Sequence, residues 1–255
     1  MKLRNHHFYY IDPMFPIFKP FYLLWIFLFF LLVSVFYLYL KYNQYTSFVD
    51  GLEITESPEE ENRNYTAPSR SEIKMNVFAT CYLMSPSYKR YIDRMNLTGN
   101  EKVLDFGSGA GPAAEHIASF LSKGNGELTC LDISPTWMKV IKARLASFQN
   151  INFLLGDILQ LDLNENIYDI ILIHFVLHDI DSTDRQDIIS RLTLLLKQGG
   201  KLYIREPDSE MHGMSGTEIQ ELMRNARLTE IQMKSGRMTW VIPVNEGIFQ
   251  KTDPD

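Results

Sequence analysis

Cysteine is nearly absent. The two residues, Cys81 and Cys130 in a chain of 255, are too few for a disulfide framework and are expected as reduced thiols, Cys130 within a buried strand. Glycine and proline are also modest, 14 and 11, which excludes collagen-like and low-complexity chains. With 45% hydrophobic and 22% charged residues, most of the chain is expected to fold. There is no cationic surplus: 25 Lys and Arg stand against 31 Asp and Glu, for a net charge of −6. Such a chain has no general attraction to phosphate backbones, so a nucleic-acid partner is not expected. No Cys, His and carboxylate cluster falls at ligand spacing, and His6 and His7 are isolated, so no metal is expected. No internal repeat is seen. The length fits one domain of moderate size plus roughly 70 residues of other purpose.

Those further residues lie at the N-terminus. Residues 21–40 contain no charge and one clearly polar side chain, Ser34, between Lys19 and Lys41. This is long enough to cross a bilayer core, and Tyr22, Trp25, Tyr37 and Tyr39 lie near its ends, where amphipathic rings favour the headgroup level. The stretch is longer than a signal-peptide core and lacks an A-x-A-like cleavage site, so a transmembrane anchor over 17–41 is expected, after an N-terminal tail over 1–16. Residues 42–70 then read as an acidic linker carrying Glu53, Glu56, Glu59, Glu60 and Glu61. The charge pattern, with Lys2, Arg4 and Lys19 before the run and Lys41 after it, gives a weak vote for a cytosolic N-terminus.

From residue 71 to 255 short apolar stretches alternate with helix-length amphipathic ones, the signature of a parallel sheet covered by helices on both faces. Strands are expected at 102–106, 127–132, 151–155, 168–174 and 200–205, with helices near 113–122, 135–147 and 184–196. Ser134 is placed to cap the second of these helices, and Pro135 to open it. A helix near 217–226 precedes two strands, 229–234 and 238–244, separated by Ser235-Gly236-Arg237. That gap is of hairpin length, so the sheet ends antiparallel.

The most informative stretch is Asp105-Phe106-Gly107-Ser108-Gly109-Ala110-Gly111, where a buried strand runs into three alternate glycines and a helix. Glycines let the backbone approach a ligand with no Cβ in the way, and the helix offers unpaired N–H groups and a positive dipole end. No Lys-Ser or Lys-Thr follows, so this is not a Walker loop, and the glycine spacing is not G-x-G-x-x-G. Asp132, with Ile133 beside it, ends the next strand, where nucleotide folds meet ribose hydroxyls. Asp157 and Ile158 follow the third strand, where a carboxylate can accept from an adenine amino group and an Ile can lie against the ring. Each has a structural alternative: Asp105 in a turn, Asp132 as an N-cap, Asp157 in an Asx-turn.

Taken together, and over nearly all of residues 72–250, the sequence resembles the class I S-adenosylmethionine-dependent methyltransferases. Asp105 to Gly111 is similar to their D/E-x-G-x-G-x-G motif. The resemblance implies a Rossmann-like seven-stranded sheet with an antiparallel terminal strand and S-adenosylmethionine as cofactor. It implies that Asp105, Gly107, Ser108, Gly109 and Gly111 hold the methionine side, Asp132 and Ile133 the ribose side, and Asp157 and Ile158 the adenine. His174, at the end of the fourth strand, would sit beside the methyl-donor pocket.

Within this family the likeness is to small-molecule, lipid and quinone methyltransferases, since the chain has nothing like the N/D-P-P-Y sequence of amine methylation of bases and no Cys near the fourth strand end. A base is needed only where the nucleophile carries a proton, and His178 or His174 can accept one near neutral pH. Glu206, after the fifth strand, also points to the acceptor side. The alternatives are that His174 packs and orients the cofactor, His178 caps a turn, and Glu206 pairs with Arg205 or faces solvent. Residues 72–95, with Tyr82, Met84, Tyr88 and Tyr91, could form a helical cover, and such a stripe also suits a core. The anchor points to a lipid or small hydrophobic acceptor. A soluble acceptor and a non-catalytic cofactor-binding scaffold remain alternatives. Because S-adenosylmethionine is a cytosolic metabolite, the domain is expected in the cytosol, anchored by a single pass.

Overall fold

The computed structural model describes residues 19–54 and 68–252. The tail over 1–16 and the acidic residues Glu56 to Glu61 lie outside them. The chain divides into two compact units, Met1–Tyr45 and Thr46–Asp255. In the first, helix α1 (Lys19–Asp50) carries a window of mean hydropathy 2.6 with none of it buried. Ser34 satisfies its hydroxyl on the Phe30 carbonyl one turn back, at 2.8 Å, so the apolar surface is unbroken. Residues from 42 onward, expected as linker, continue this helix to Asp50.

The second unit begins with the last turn of α1. Val49 is fully buried with Ile73, Val77, Cys81, Ala110 and Val140. Arg70 donates to the carbonyl of Val49 at 2.5 Å and of Leu52 at 3.1 Å, satisfying carbonyls that the helix end leaves open. Ser69 and Glu72 form a capping box that starts α2 (Arg70–Asn76). The backbone then widens into a π-helical stretch, Val77–Leu83, closed by the Met84 N–H on the Ala79 carbonyl at 2.9 Å, and continues as α3 (Ser85–Asp93). Residues 72–95 are thus largely helical, and Tyr88 and Tyr91 of the expected stripe are buried in the core.

Seven strands follow: β1 (Lys102–Phe106), β2 (Glu127–Asp132), β3 (Ile151–Leu155), β4 (Tyr168–His174), β5 (Leu196–Pro207), β6 (Leu228–Arg237) and β7 (Pro243–Lys251). Their spatial order is β3-β2-β1-β4-β5-β7-β6. The first five are parallel, and β7 is antiparallel to both neighbours. The antiparallel strand is therefore last in the chain but one in from the edge. Helices α4 (Pro112–Leu121) and α5 (Pro135–Arg144) cover one face, with α3. Helices α6 (Ser182–Leu195) and α7 (Gly216–Asn225) cover the other. Ser134 caps α5 by accepting from the Trp137 N–H at 3.3 Å, and Pro135 opens the helix.

The first four strands match their expected bounds. The fifth is longer, and the last hairpin turns later than expected: Ser235, Gly236 and Arg237 pair with Asn245, Val244 and Pro243 instead of forming the turn. The turn is residues 238–242, whose strand-like Thr239-Trp240-Val241-Ile242 composition concealed it. It closes through the Met238 N–H on the Ile242 carbonyl at 3.0 Å, with the Met238 side chain buried in the core. Strand order reverses between β1 and β4, which opens a crevice at the carboxyl ends of those strands.

Candidate active site

The glycine loop leaves β1 at this crevice and is held from beneath. The Gly107 and Ser108 N–H groups donate to the Leu131 carbonyl at 2.8 and 3.1 Å, and the Ser108 hydroxyl donates to the Asp105 carbonyl at 2.8 Å. Gly111, left-handed at φ 79°, is the N-cap of α4; a Cβ there would lie 2.7 Å from Ile141. Gly109 is also left-handed, at φ 52°, but a Cβ there would meet nothing within 4 Å. One glycine is thus required by packing, and the other by its backbone while facing open space where a ligand can lie.

Asp132 joins the loop to the end of β2. One of its oxygens accepts from the Gly109 N–H at 2.7 Å, the other from the Ser134 N–H at 2.9 Å. Both Asp105 and Asp132 are buried. Burial pushes the Asp105 carboxyl up to about 7, helped by the nearby Asp132 and opposed by the Ser108 hydroxyl. Asp132 is raised by burial as well, against its two backbone donors. Among the described residues neither group is in an ion pair. Two desolvated carboxylates without a cationic partner at an open glycine loop fit a ligand that brings its own positive charge and hydroxyls, which S-adenosylmethionine does.

Asp157 accepts from the Leu159 N–H at 2.9 Å and shapes the turn after β3. Ile158 is buried in the core on the α6 side, whereas Ile133 is an exposed apolar side chain at the end of β2. Ile158, expected on the adenine side, is thus turned into the core, while Ile133, expected beside Asp132, keeps an exposed side chain.

Beyond β4 the two histidines diverge. His174 is buried between Tyr88, with centroids 4.6 Å apart, and Tyr91, at 5.6 Å. Its Nε2 lies 3.3 Å from Arg205 Nη1. Burial, then the Arg205 charge, hold the ring well below its usual range, so it is neutral, with Nε2 accepting from the guanidinium. Arg205 lies over the Tyr91 ring at 3.7 Å and pairs with Glu246, not Glu206. Glu246 also meets Arg94 at 2.9 Å and Lys234 at 3.3 Å. The Tyr91 hydroxyl, buried in this cage, has no hydrogen-bond partner.

His178 sits in a short 3₁₀ turn, Leu177–Asp179. Its Nδ1 lies 2.7 Å from Glu206 Oε2, and its Nε2 lies 3.4 Å from Asp179. Glu206 is fully buried and accepts from the Val176 and Leu177 N–H groups at 3.0 and 2.9 Å. Burial opposes charge on His178, but the Glu206 hydrogen bond and charge, with Asp179, outweigh it and raise the ring above its ordinary value. Glu206 thus fixes the tautomer with Nδ1 protonated and leaves Nε2 to accept.

One loop contact had no local signal in the sequence. Arg144, at the end of α5, donates to the carbonyls of Ala110, at 2.7 Å, and Gly111, and pairs with Glu115 at 2.6 Å. The Arg205–Glu246 pair was likewise hidden, since its partners are far apart in sequence. Among the described residues no His, Cys and carboxylate grouping could hold a metal ion.

Comparison with known proteins bears on the family and the fold. Residues 97–244 match the family model of a methyltransferase domain. The chain is 31% identical over 129 residues to a ubiquinone/menaquinone biosynthesis C-methyltransferase of Shewanella sediminis, covering 49% of this chain and 50% of that one. It is 30% identical over 128 residues to a demethylmenaquinone methyltransferase of Tropheryma whipplei, covering 49% and 50%. The match thus spans about half the length of these relatives. A Burkholderia thailandensis 1,6-didemethyltoxoflavin-N1-methyltransferase, solved with its acceptor and S-adenosylhomocysteine, shares the fold at TM-score 0.55 and 18% identity, over 70% of this chain and 82% of that one. The chain belongs to the methyltransferase family whose cofactor is S-adenosylmethionine.

Proposed function

We propose that this protein is a membrane-anchored methyltransferase that moves a methyl group from S-adenosylmethionine to a lipid or other small hydrophobic acceptor, with the domain from residue 71 in the cytosol. The observation that carries the cofactor half is the glycine loop tied to Asp132, with two buried carboxylates that lack a cation. Support for the acceptor half comes from the exposed apolar span of helix α1 and from relatives named for quinone methylation.

When bound, the cofactor supplies an activated sulfonium methyl, so the chain's task is to position, desolvate and remove a proton. Asp132 and Ile133 would hold ribose and adenine, Asp157 the adenine edge, and Asp105 with residues 107–111 the methionine end. His178 Nε2 accepts the acceptor's proton, and Glu206 stabilises the charged ring that results. His174, already accepting from Arg205 and held neutral, serves as a wall of the pocket. The His178–Glu206 pair favours turnover over a non-catalytic scaffold. An aqueous acceptor is the second reading, favoured by the toxoflavin enzyme that shares the fold.

Titration calorimetry of the detergent-solubilised full chain with S-adenosylmethionine tests the reading. Asp132→Ala should weaken binding by about 10-fold or more, since hydrogen bonds to a charged group are worth roughly 1.5–3 kcal/mol. Absence of binding by the parent chain would sink the assignment. Labelled cofactor given to a membrane extract then separates the readings: label in the lipid phase supports the first, label in the aqueous phase the second.

A further inference from the structure

Strand β6 is antiparallel to β7, which is antiparallel to β5, so β6 runs with the parallel strands and its end at Arg237 reaches the same edge of the sheet as the glycine loop. The turn that follows is tightly held. Its ends are joined by the Met238 N–H on the Ile242 carbonyl at 3.0 Å, and Arg237 donates to the Trp240 carbonyl at 2.8 Å. The Asp208 N–H on the Pro243 carbonyl, at 3.0 Å, ties the turn to the chain after β5. Met238 is buried in the same core cluster as Tyr88 and Tyr91, and Ile242 packs against that cluster. From this fixed base Trp240 and Val241 project into solvent, 91% and 81% exposed.

A mobile loop exposes apolar side chains at random; this one is folded around buried Met238 and partly buried Ile242 and presents two others. Holding a tryptophan and a valine in water is unfavourable unless something apolar receives them. The flanking charge is cationic. Lys234 and Arg94, both half exposed, share the single carboxylate of Glu246 with buried Arg205, and Arg237 stands at the base of the turn. Other acidic groups in this region are Asp208 and Glu210, on the chain after β5. A tryptophan tip with the exposed or half-exposed cations Arg237, Lys234 and Arg94 at its base is a composition suited to an anionic lipid–water boundary. The same chain carries an apolar helix of membrane length whose most apolar window is exposed, so on the reading proposed above a bilayer is the apolar surface available to the tip.

We propose that the β6–β7 turn is a membrane-docking tip, with Trp240 and Val241 entering the interfacial layer and Arg237, Lys234 and Arg94 meeting anionic headgroups. The proposal rests on reading the protein as an enzyme that acts at a membrane, and it adds how a bilayer-borne acceptor gets in. The turn adjoins the Tyr88, Tyr91 and Arg205 cage, so docking brings that cage to the lipid surface.

The test uses the full chain reconstituted in vesicles of phosphatidylcholine and phosphatidylglycerol. Emission from Trp240 is read as the difference between the parent and Trp240→Phe, which leaves Trp25 and Trp137 in place. Expected are a blue-shifted Trp240 signal, its loss when the acyl chains are brominated, and protection from iodide. Removing phosphatidylglycerol, or substituting Arg237→Gln, should weaken the bromine effect. Quenching by iodide and not by bromine would put the tip in water and overturn the proposal. Protection from both, with chemical crosslinking to a doubled mass, would assign the tip to a second copy and overturn it equally. S-adenosylmethionine titration of Trp240→Phe keeps the two readings apart: retained cofactor binding with an unquenched Trp240 removes the docking tip alone.

Discussion

Glu206 and His178 define the titration on which turnover should depend. As a base His178 must be neutral, and its raised value means that the rate falls on acidification from a higher pH than an isolated histidine would set. Glu206→Gln removes the charge that favours the protonated ring, so the acid limb of kcat against pH should move to lower pH while kcat falls. An unmoved limb would remove Glu206 from the proton path. His178→Ala should cost about 10²-fold or more in kcat if the acceptor carries a proton. His174 titrates in the opposite sense. Its folded value is depressed, so at acid pH the unfolded chain binds the proton more readily. Stability should be unaffected by this group above its ordinary value of 6.5 and decline as pH falls below it. Thermal melts of His174→Gln, which still offers Arg205 an acceptor, should show a flatter acid decline. A parallel decline in both proteins would show that the acid sensitivity arises elsewhere.

At the scale of elements, α5 reaches back to fix the glycine loop through Arg144. Arg144→Met keeps the stem and removes the donors to the Ala110 and Gly111 carbonyls. It should weaken cofactor binding by about 10-fold, the equivalent of roughly one charged hydrogen bond, with a smaller effect on melting. Unchanged affinity would show that the loop holds its shape without the clamp. Such elements also mark what the sequence discloses. Strands β1 to β4 are apolar runs bounded by turn residues, and the glycine motif and the acids at strand ends are local patterns, so both were legible. The β6–β7 turn was not, because Thr239 to Ile242 have strand-like side chains and the turn is set by burial of Met238, a tertiary fact. Arg144 on Ala110, Arg205 on Glu246 and His178 on Glu206 join residues far apart in the chain and leave no trace in spacing.

For the whole molecule, the expected outcome is an integral protein. The full chain should stay in the membrane fraction through alkaline carbonate extraction, since helix α1 exposes a span of mean hydropathy 2.6. Protease added to sealed, cytosolic-side-out vesicles should digest residues from 71 onward. Protection of that domain would place it across the membrane and contradict the proposed function. The family match covers residues 97–244, so the apolar helix and the helices before β1 are features read from this chain itself.

The last turn of α1 bears on where the enzyme can be cut. Val49 lies in one cluster with Ala110 of the glycine loop, Cys81 Sγ approaches the Ala110 carbonyl at 3.9 Å, and Arg70 is spent on carbonyls of residues 49–52. The seam between the apolar helix and the catalytic body therefore falls inside a helix, near Thr46, and not in the polar stretch that follows. A form trimmed at residue 65 would strand Arg70 and uncover the flank of the glycine loop, whereas one trimmed before Thr46 keeps that flank whole.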